Sequence, residues 1–188
     1  MSIYILCEGL KDEKLLNFVL PKQLLSDFDV KIVVAGGSSG VKSLARSLVV
    51  RRQAPVAIVV DAGSVIPEFI QERCENIEEI VKGVAGNTPV KVFLAVPEIE
   101  AVFFQDVSFL AKLLGYIPDQ HTLDLAVFAP KKILQQLLAQ SEKINNYSEI
   151  FNQLSPEDTE ILRKAPLIQE IICFLESIRK TATAATAK

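Results

Sequence analysis

The chain has 188 residues, 49% of them apolar and 23% charged, with a formal net charge of −3. This length and apolar content support a packed globular core and exclude a disordered or low-complexity chain. The acidic balance excludes a globally basic surface but leaves room for a local basic patch, and no apolar run is long enough to span a bilayer.

Residues 3–7 (IYILC), 30–35 (VKIVVA), 56–60 (VAIVV) and 90–96 (VKVFLAV) are short, β-branched and apolar, as expected of strands covered on both faces. Helical periodicity fills the intervals. Residues 12–25 carry Leu15, Leu16, Val19 and Leu24 inward, with a break at Pro21. Residues 41–52 carry Val41, Leu44, Ala45 and Leu48, and residues 65–84 carry Phe69, Ile70, Ile77, Ile80 and Val81. Alternating strands and helices predict a parallel α/β sheet with right-handed crossovers. Beyond the fourth strand the chain reads as a helix over 98–114 ending at Gly115, then a linker over 116–129. Helices are expected from Pro130, from Ser155 ("SPEDTEIL") and over 167–180, before a frayed "TATAATAK" tail. The expected organisation is an α/β domain over 1–118, a packed helical extension over 119–181 and a disordered tail over 182–188.

Cys7, Cys74 and Cys173 lie in apolar or helical stretches and read as buried reduced thiols. They form no CxxC pattern, and His121 is the single histidine, so a zinc site is not expected. The opening runs straight into a strand without a charged leader, and the expectation is a cytoplasmic protein.

In an open parallel sheet, ligands gather beyond the carboxyl ends of the strands at a switch point. Acids stand at those ends. Glu8 follows the first strand, with Asp12 four residues on. Asp61 ends the third ("IVVDAGS"), and Glu98 and Glu100 follow the fourth ("AVPEIEAVFF"). With strand order 2-1-3-4, Glu8 and Asp61 would face each other across the crevice. Carboxylates without a histidine partner suit hard cations, Mg²⁺ or Mn²⁺, which clamp phosphodiesters and activate water. Any one of these acids has a plainer role as a helix cap. Their collection on one rim is what favours a site.

The segments "EGLKDE" and "VVDAG", each after a strand, resemble the Toprim domain of primases, topoisomerases and the overcoming-lysogenization-defect nucleases. "PEIEAVFFQD" resembles the PEIEAW-type segment of small Toprim-like proteins. "APKKILQQL" and the stretch from Ser155 to Arg179 resemble their downstream helices. The resemblance implies a Toprim/Rossmann-like four-stranded parallel sheet, order 2-1-3-4, with a helical C-terminal extension. It implies acid/base or metal work for Glu8, and Mg²⁺ or Mn²⁺ ligation by Asp61, Asp12 and Glu100 with Glu98 beside it. The second aspartate of the family's DxD pair is Gly63 in this chain, which removes a ligand.

"GGSSGVKS" lacks the spacing of a phosphate-binding P-loop and reads as a flexible turn. Lys42 and Arg46 share a helix face that could follow a nucleic-acid backbone or simply be solvated. Lys131 could stabilise phosphate charge if its helix folds back to the rim. Phe103, Phe104, Phe109 and Phe128 are expected in the core. Two functions follow. One is a Mg²⁺-dependent enzyme acting on nucleic-acid phosphodiesters, a nuclease of defence or repair. The other is a Toprim-like binding module with a degraded site that works through a partner, with an ATPase as a candidate.

Overall fold

The structure, a computed structural model, describes residues 2–144 and 146–186, with side chains as far as Thr181. The elements in order are β1 (Ile3–Cys7), α1 (Leu10–Val19), α2 (Lys22–Asp27), β2 (Val30–Val34), α3 (Ser38–Arg52), β3 (Val56–Asp61), α4 (Pro67–Ala85) and β4 (Val90–Ala95). A 3-10 helix (Ile99–Phe104) follows, then α5 (Val107–Leu114), α6 (Gln120–Ala126), α7 (Pro130–Gln140), α8 (Tyr147–Gln153), α9 (Pro156–Arg163) and α10 (Pro166–Thr186). The strands form one sheet of order β2-β1-β3-β4, every pair parallel, with Leu6 opposite Ile58 and Asp61 opposite Ala95. This is the α/β fold and strand order expected from the sequence.

Strand alternation divides the core in two. Tyr4, Leu6, Val56, Ile58 and Val60 face α3 and α4, packing with Val41, Ala45, Ile77 and Val81. Ile3, Ile5, Cys7, Ala57 and Val59 face the other way, against α1 and the C-terminal helices, including Ile168, Ile171 and Leu175. Phe174 of α10 meets Phe93 edge-on at 5.7 Å. Arg163 Nε donates to the Val19 carbonyl at 2.6 Å, tying α9 to the end of α1. Fully burying a side chain of leucine size contributes about 1.5–3 kcal/mol, so the C-terminal helices are part of what holds this sheet face. Among the described residues no helix is long and apolar enough to cross a membrane.

Several local expectations change. The helix expected over 98–114 is a 3-10 helix and a separate α5, because Asp106 leaves helical geometry and its side chain accepts from the Phe109 N–H, starting a new helix. The expected linker contains α6, started the same way by Asp119. The turn before α3 is held rather than loose. A Cβ on Gly40 would lie 1.9 Å from the Ala35 carbonyl oxygen, so only glycine permits that approach. Among the cysteines only Cys7 is buried; Cys74 is intermediate and Cys173, on the outer side of α10, is exposed. Phe69 and Phe128 are exposed rather than core residues, because among the described residues no element covers the first turn of α4 or the α6–α7 connection. The last helix continues to Thr186, beyond the expected end near 180. Of the tail expected to be disordered, residues 187–188 lie outside the described residues.

Candidate functional site

Each parallel strand ends at the same rim, and the acids leave it on two sides. Continuing the alternation of β1, Glu8 shares the parity of Tyr4 and Leu6, toward α3 and α4. Asp61 shares the parity of Ala57 and Val59, toward the C-terminal helices. The contacts agree. Glu8 Oε1 lies 3.8 Å from Arg73 Nη2 of α4, and Glu8 Oε2 accepts the Asp61 backbone N–H at 3.2 Å. Glu8 therefore touches the backbone of Asp61 while its charge is directed to Arg73, whose Nε is buried without a hydrogen-bond partner.

The Asp61 side chain turns to the segment after β4. Its Oδ1 accepts the Ile99 N–H at 2.8 Å, which pins the start of the 3-10 helix. Burial pushes the Asp61 carboxyl up to about 7, with Asp12 and Glu100 acting in the same direction against the Ile99 N–H and Lys131. That 3-10 helix carries Glu100 inward, where it is 2% exposed. Burial, aided by nearby Glu98 and Asp12, raises the Glu100 carboxyl, with Lys131 opposing. Glu100 Oε2 is buried and has no hydrogen-bond partner, an uncommon state for a carboxylate oxygen.

Lys131 enters this group from the second position of α7. Burial alone would lower its ammonium, but Glu100, Asp61, Glu98 and Asp12 outweigh that and raise it. The remaining acids are partly committed. Glu98 Oε2 accepts the Lys131 backbone N–H at 3.0 Å, and Asp12 Oδ2 accepts the Gly9 N–H at 2.8 Å as part of the start of α1. Asp12, Asp61, Glu98, Glu100 and Lys131 thus form one electrostatic group, and Glu8 with Arg73 forms a second beside it.

Two residues joined the site unannounced by any motif. Arg73 is one. The other is Tyr147, 7% exposed, whose hydroxyl is buried without a partner. Burial raises its phenol strongly, and Glu100, Asp12 and Asp61 add to the rise. The parity of Glu8 could have been counted from Leu6, but nothing local to "NNYSEI" points Tyr147 at the rim.

Gly63 adopts φ +71°, and its N–H donates to the Pro97 carbonyl at 2.8 Å, holding the chains after β3 and β4 side by side. The Val96–Pro97 peptide is cis. The all-oxygen donors of the rim suit a hard cation chemically, and the unpartnered Glu100 oxygen is a free ligand position. Among the described residues, however, no three acidic, histidine or cysteine side chains are gathered closely enough to hold an ion. The described residues therefore form no preformed cage.

No protein-family model and no curated protein matches the chain. Solved structures do. The C-terminal region of the Burkholderia pseudomallei OLD protein superposes with a TM-score of 0.56 at 15% identity, covering 96% of this chain and 97% of that one. The C-terminal region of the Xanthomonas campestris pv. campestris OLD protein gives 0.54 at 13% identity, covering 97% of both. Across nearly its whole length, this chain has the Toprim-like fold of the C-terminal regions of OLD (overcoming-lysogenization-defect) proteins.

Proposed function

We propose that the rim binds a single hard divalent cation, Mg²⁺ or Mn²⁺, and that the protein uses it on nucleic-acid phosphodiesters, as a nuclease of low intrinsic activity. The observation that carries this reading is the buried, unpartnered Glu100 oxygen beside an Asp61 carboxyl held near neutrality, with Lys131 among them. Like charges crowded out of water are what a bound cation would relieve. Asp61 and Glu100 would hold the ion, with Asp12 behind them. Glu98, with one oxygen already on α7, contributes charge more than ligation. When bound, the ion supplies charge neutralisation and an activated water. Lys131 would offer a positive charge to a phosphate oxygen, and Glu8, held by Arg73 and the Asp61 N–H, would do the acid/base work.

Calorimetric titration with Mn²⁺ tests the reading, on wild type, Asp61→Asn, Glu100→Gln and Glu8→Gln, followed by a nuclease assay in Mn²⁺. Binding should be measurable in wild type and abolished by Asp61→Asn. Glu8→Gln should retain binding and lose cleavage. A wild type that takes no Mn²⁺ overturns the proposal.

Gly63 favours a second reading. Where the resembled family has its second DxD aspartate, this chain has no side chain, so the protein would be a binding module that works through a partner such as an ATPase. In that case Mn²⁺ binding and cleavage would both be absent from the isolated chain.

A further inference from the structure

We propose that Phe128 is a nucleobase-stacking platform and that the rim takes single-stranded rather than duplex nucleic acid. The inference rests on the phosphodiester reading above and gives it a substrate class. Phe128 is 66% exposed, in the connection that leads into α7. Its ring lines a concavity of about 280 Å³ together with Gly63, Pro97, Glu98, Lys131 and Lys132. Glu98 and Lys131 are also members of the carboxylate group, so the concavity opens beside the rim. The space over Gly63 is clear: a Cβ there would meet nothing within 4 Å.

The volume is near the lower end of ligand clefts, about 300 Å³. It is large enough for one planar ring, and a base inside a duplex, stacked on both faces by its neighbours, has no free face to lay on Phe128. A large aromatic left in water beside two lysines is the combination that single-strand binders use. The ring accepts any base face and the ammonium groups follow the phosphates. The neighbouring Leu125 (44% exposed) and Val127 (59% exposed) would also suit a protein contact, but the lysines on the same concavity favour a polyanion.

The chain has no tryptophan, so Phe128→Trp places a single reporter at the platform. Its emission is read in EDTA against an oligodeoxythymidylate and a duplex of matched length. In parallel, fluorescence anisotropy compares wild type with Phe128→Ala, and circular dichroism checks the fold of both variants. We expect the single strand to quench the tryptophan and Phe128→Ala to weaken single-strand binding about tenfold, with duplex binding unchanged. Tryptophan emission unmoved by the single strand, or equal weakening for both nucleic acids, overturns the inference. Unmoved emission together with a concentration-dependent dimer that Phe128→Ala abolishes would assign the ring to a protein contact instead. Because EDTA removes the cation, this result is separable from the Mn²⁺ titration. Quenching without Mn²⁺ binding leaves the platform standing and sinks the cation, and the converse sinks the platform alone.

Discussion

Glu98 Oε2 accepts the backbone N–H of Lys131 at 3.0 Å, across a sequence separation of 33 residues. The carboxylate that follows β4 thereby caps α7, whose own N-cap residue, Ala129, makes no side-chain cap. A helix start leaves its first N–H groups unsatisfied, and a negative charge there is favourable. Glu98→Ala should therefore lower stability by about 1 kcal/mol, read as a lower urea midpoint at constant slope. Glu98→Gln, which keeps an acceptor oxygen, should recover part of it. An unchanged midpoint in Glu98→Ala would show that α7 does not depend on this contact.

The burial of Asp61 makes stability depend on pH. Its carboxyl titrates near 3.8 when unperturbed and near 7 in the folded protein. Between those values the folded state holds a proton that the unfolded state has released. Stability therefore falls as pH rises through this window and levels off above it. Glu100, also raised, acts with the same sign. The expected loss is on the order of 2 kcal/mol after allowance for solvent, or about 4–8 °C in Tm for a chain of this length. Thermal unfolding at pH 5 and pH 8 measures it. Asp61→Asn should flatten the dependence, and an identical profile in the variant would remove Asp61 as its source.

Gly63→Asp asks whether the missing carboxylate can be restored. At φ +71° any side chain is strained, although aspartate tolerates this region better than most residues. A cost of about 1–2 kcal/mol is expected, with no clash, since the space for the Cβ is open. In the folded variant Mn²⁺ should bind more tightly, because a second ligand joins Asp61. Unchanged affinity by calorimetry would mean that the rim is not a metal site short of one aspartate.

Tyr147→Phe removes a buried hydroxyl that has no hydrogen-bond partner. An unsatisfied buried polar group costs about 1–3 kcal/mol, so the variant should be at least as stable as wild type by thermal unfolding. A clear drop in Tm would mean that the hydroxyl has a partner in solution. Reduced Mn²⁺ affinity without any loss of stability would place the hydroxyl among the groups that serve the rim.

The four strands, their parallel arrangement, the acids at their ends and helix starts such as Pro130 and Ser155 were legible in the sequence, because each is written in a few neighbouring residues. Apolar runs, turn residues and caps act locally, and the resemblance of the motifs carried the strand order. The direction of each carboxylate was not so plain. Glu8 and Asp61 both end strands, yet alternation sends one toward Arg73 and the other toward Ile99 and Lys131. The break at Asp106 carried a local cap signal that apolar periodicity overrode, and the helix start at Asp119 lay in a polar segment that read as a linker. Tertiary structure alone decided the rest. Glu98 became the cap of α7 because the helical C-terminal part folds back over the end of β4. Tyr147 reached the rim because α8 packs against α1 and the 3-10 helix, where its ring meets Phe103 edge-on at 5.9 Å. Phe128 stayed in water because no helix among the described residues covers the α6–α7 connection. Burial is a property of the surface that arrives from elsewhere in the chain, and hydrophobicity states only which residues gain from it.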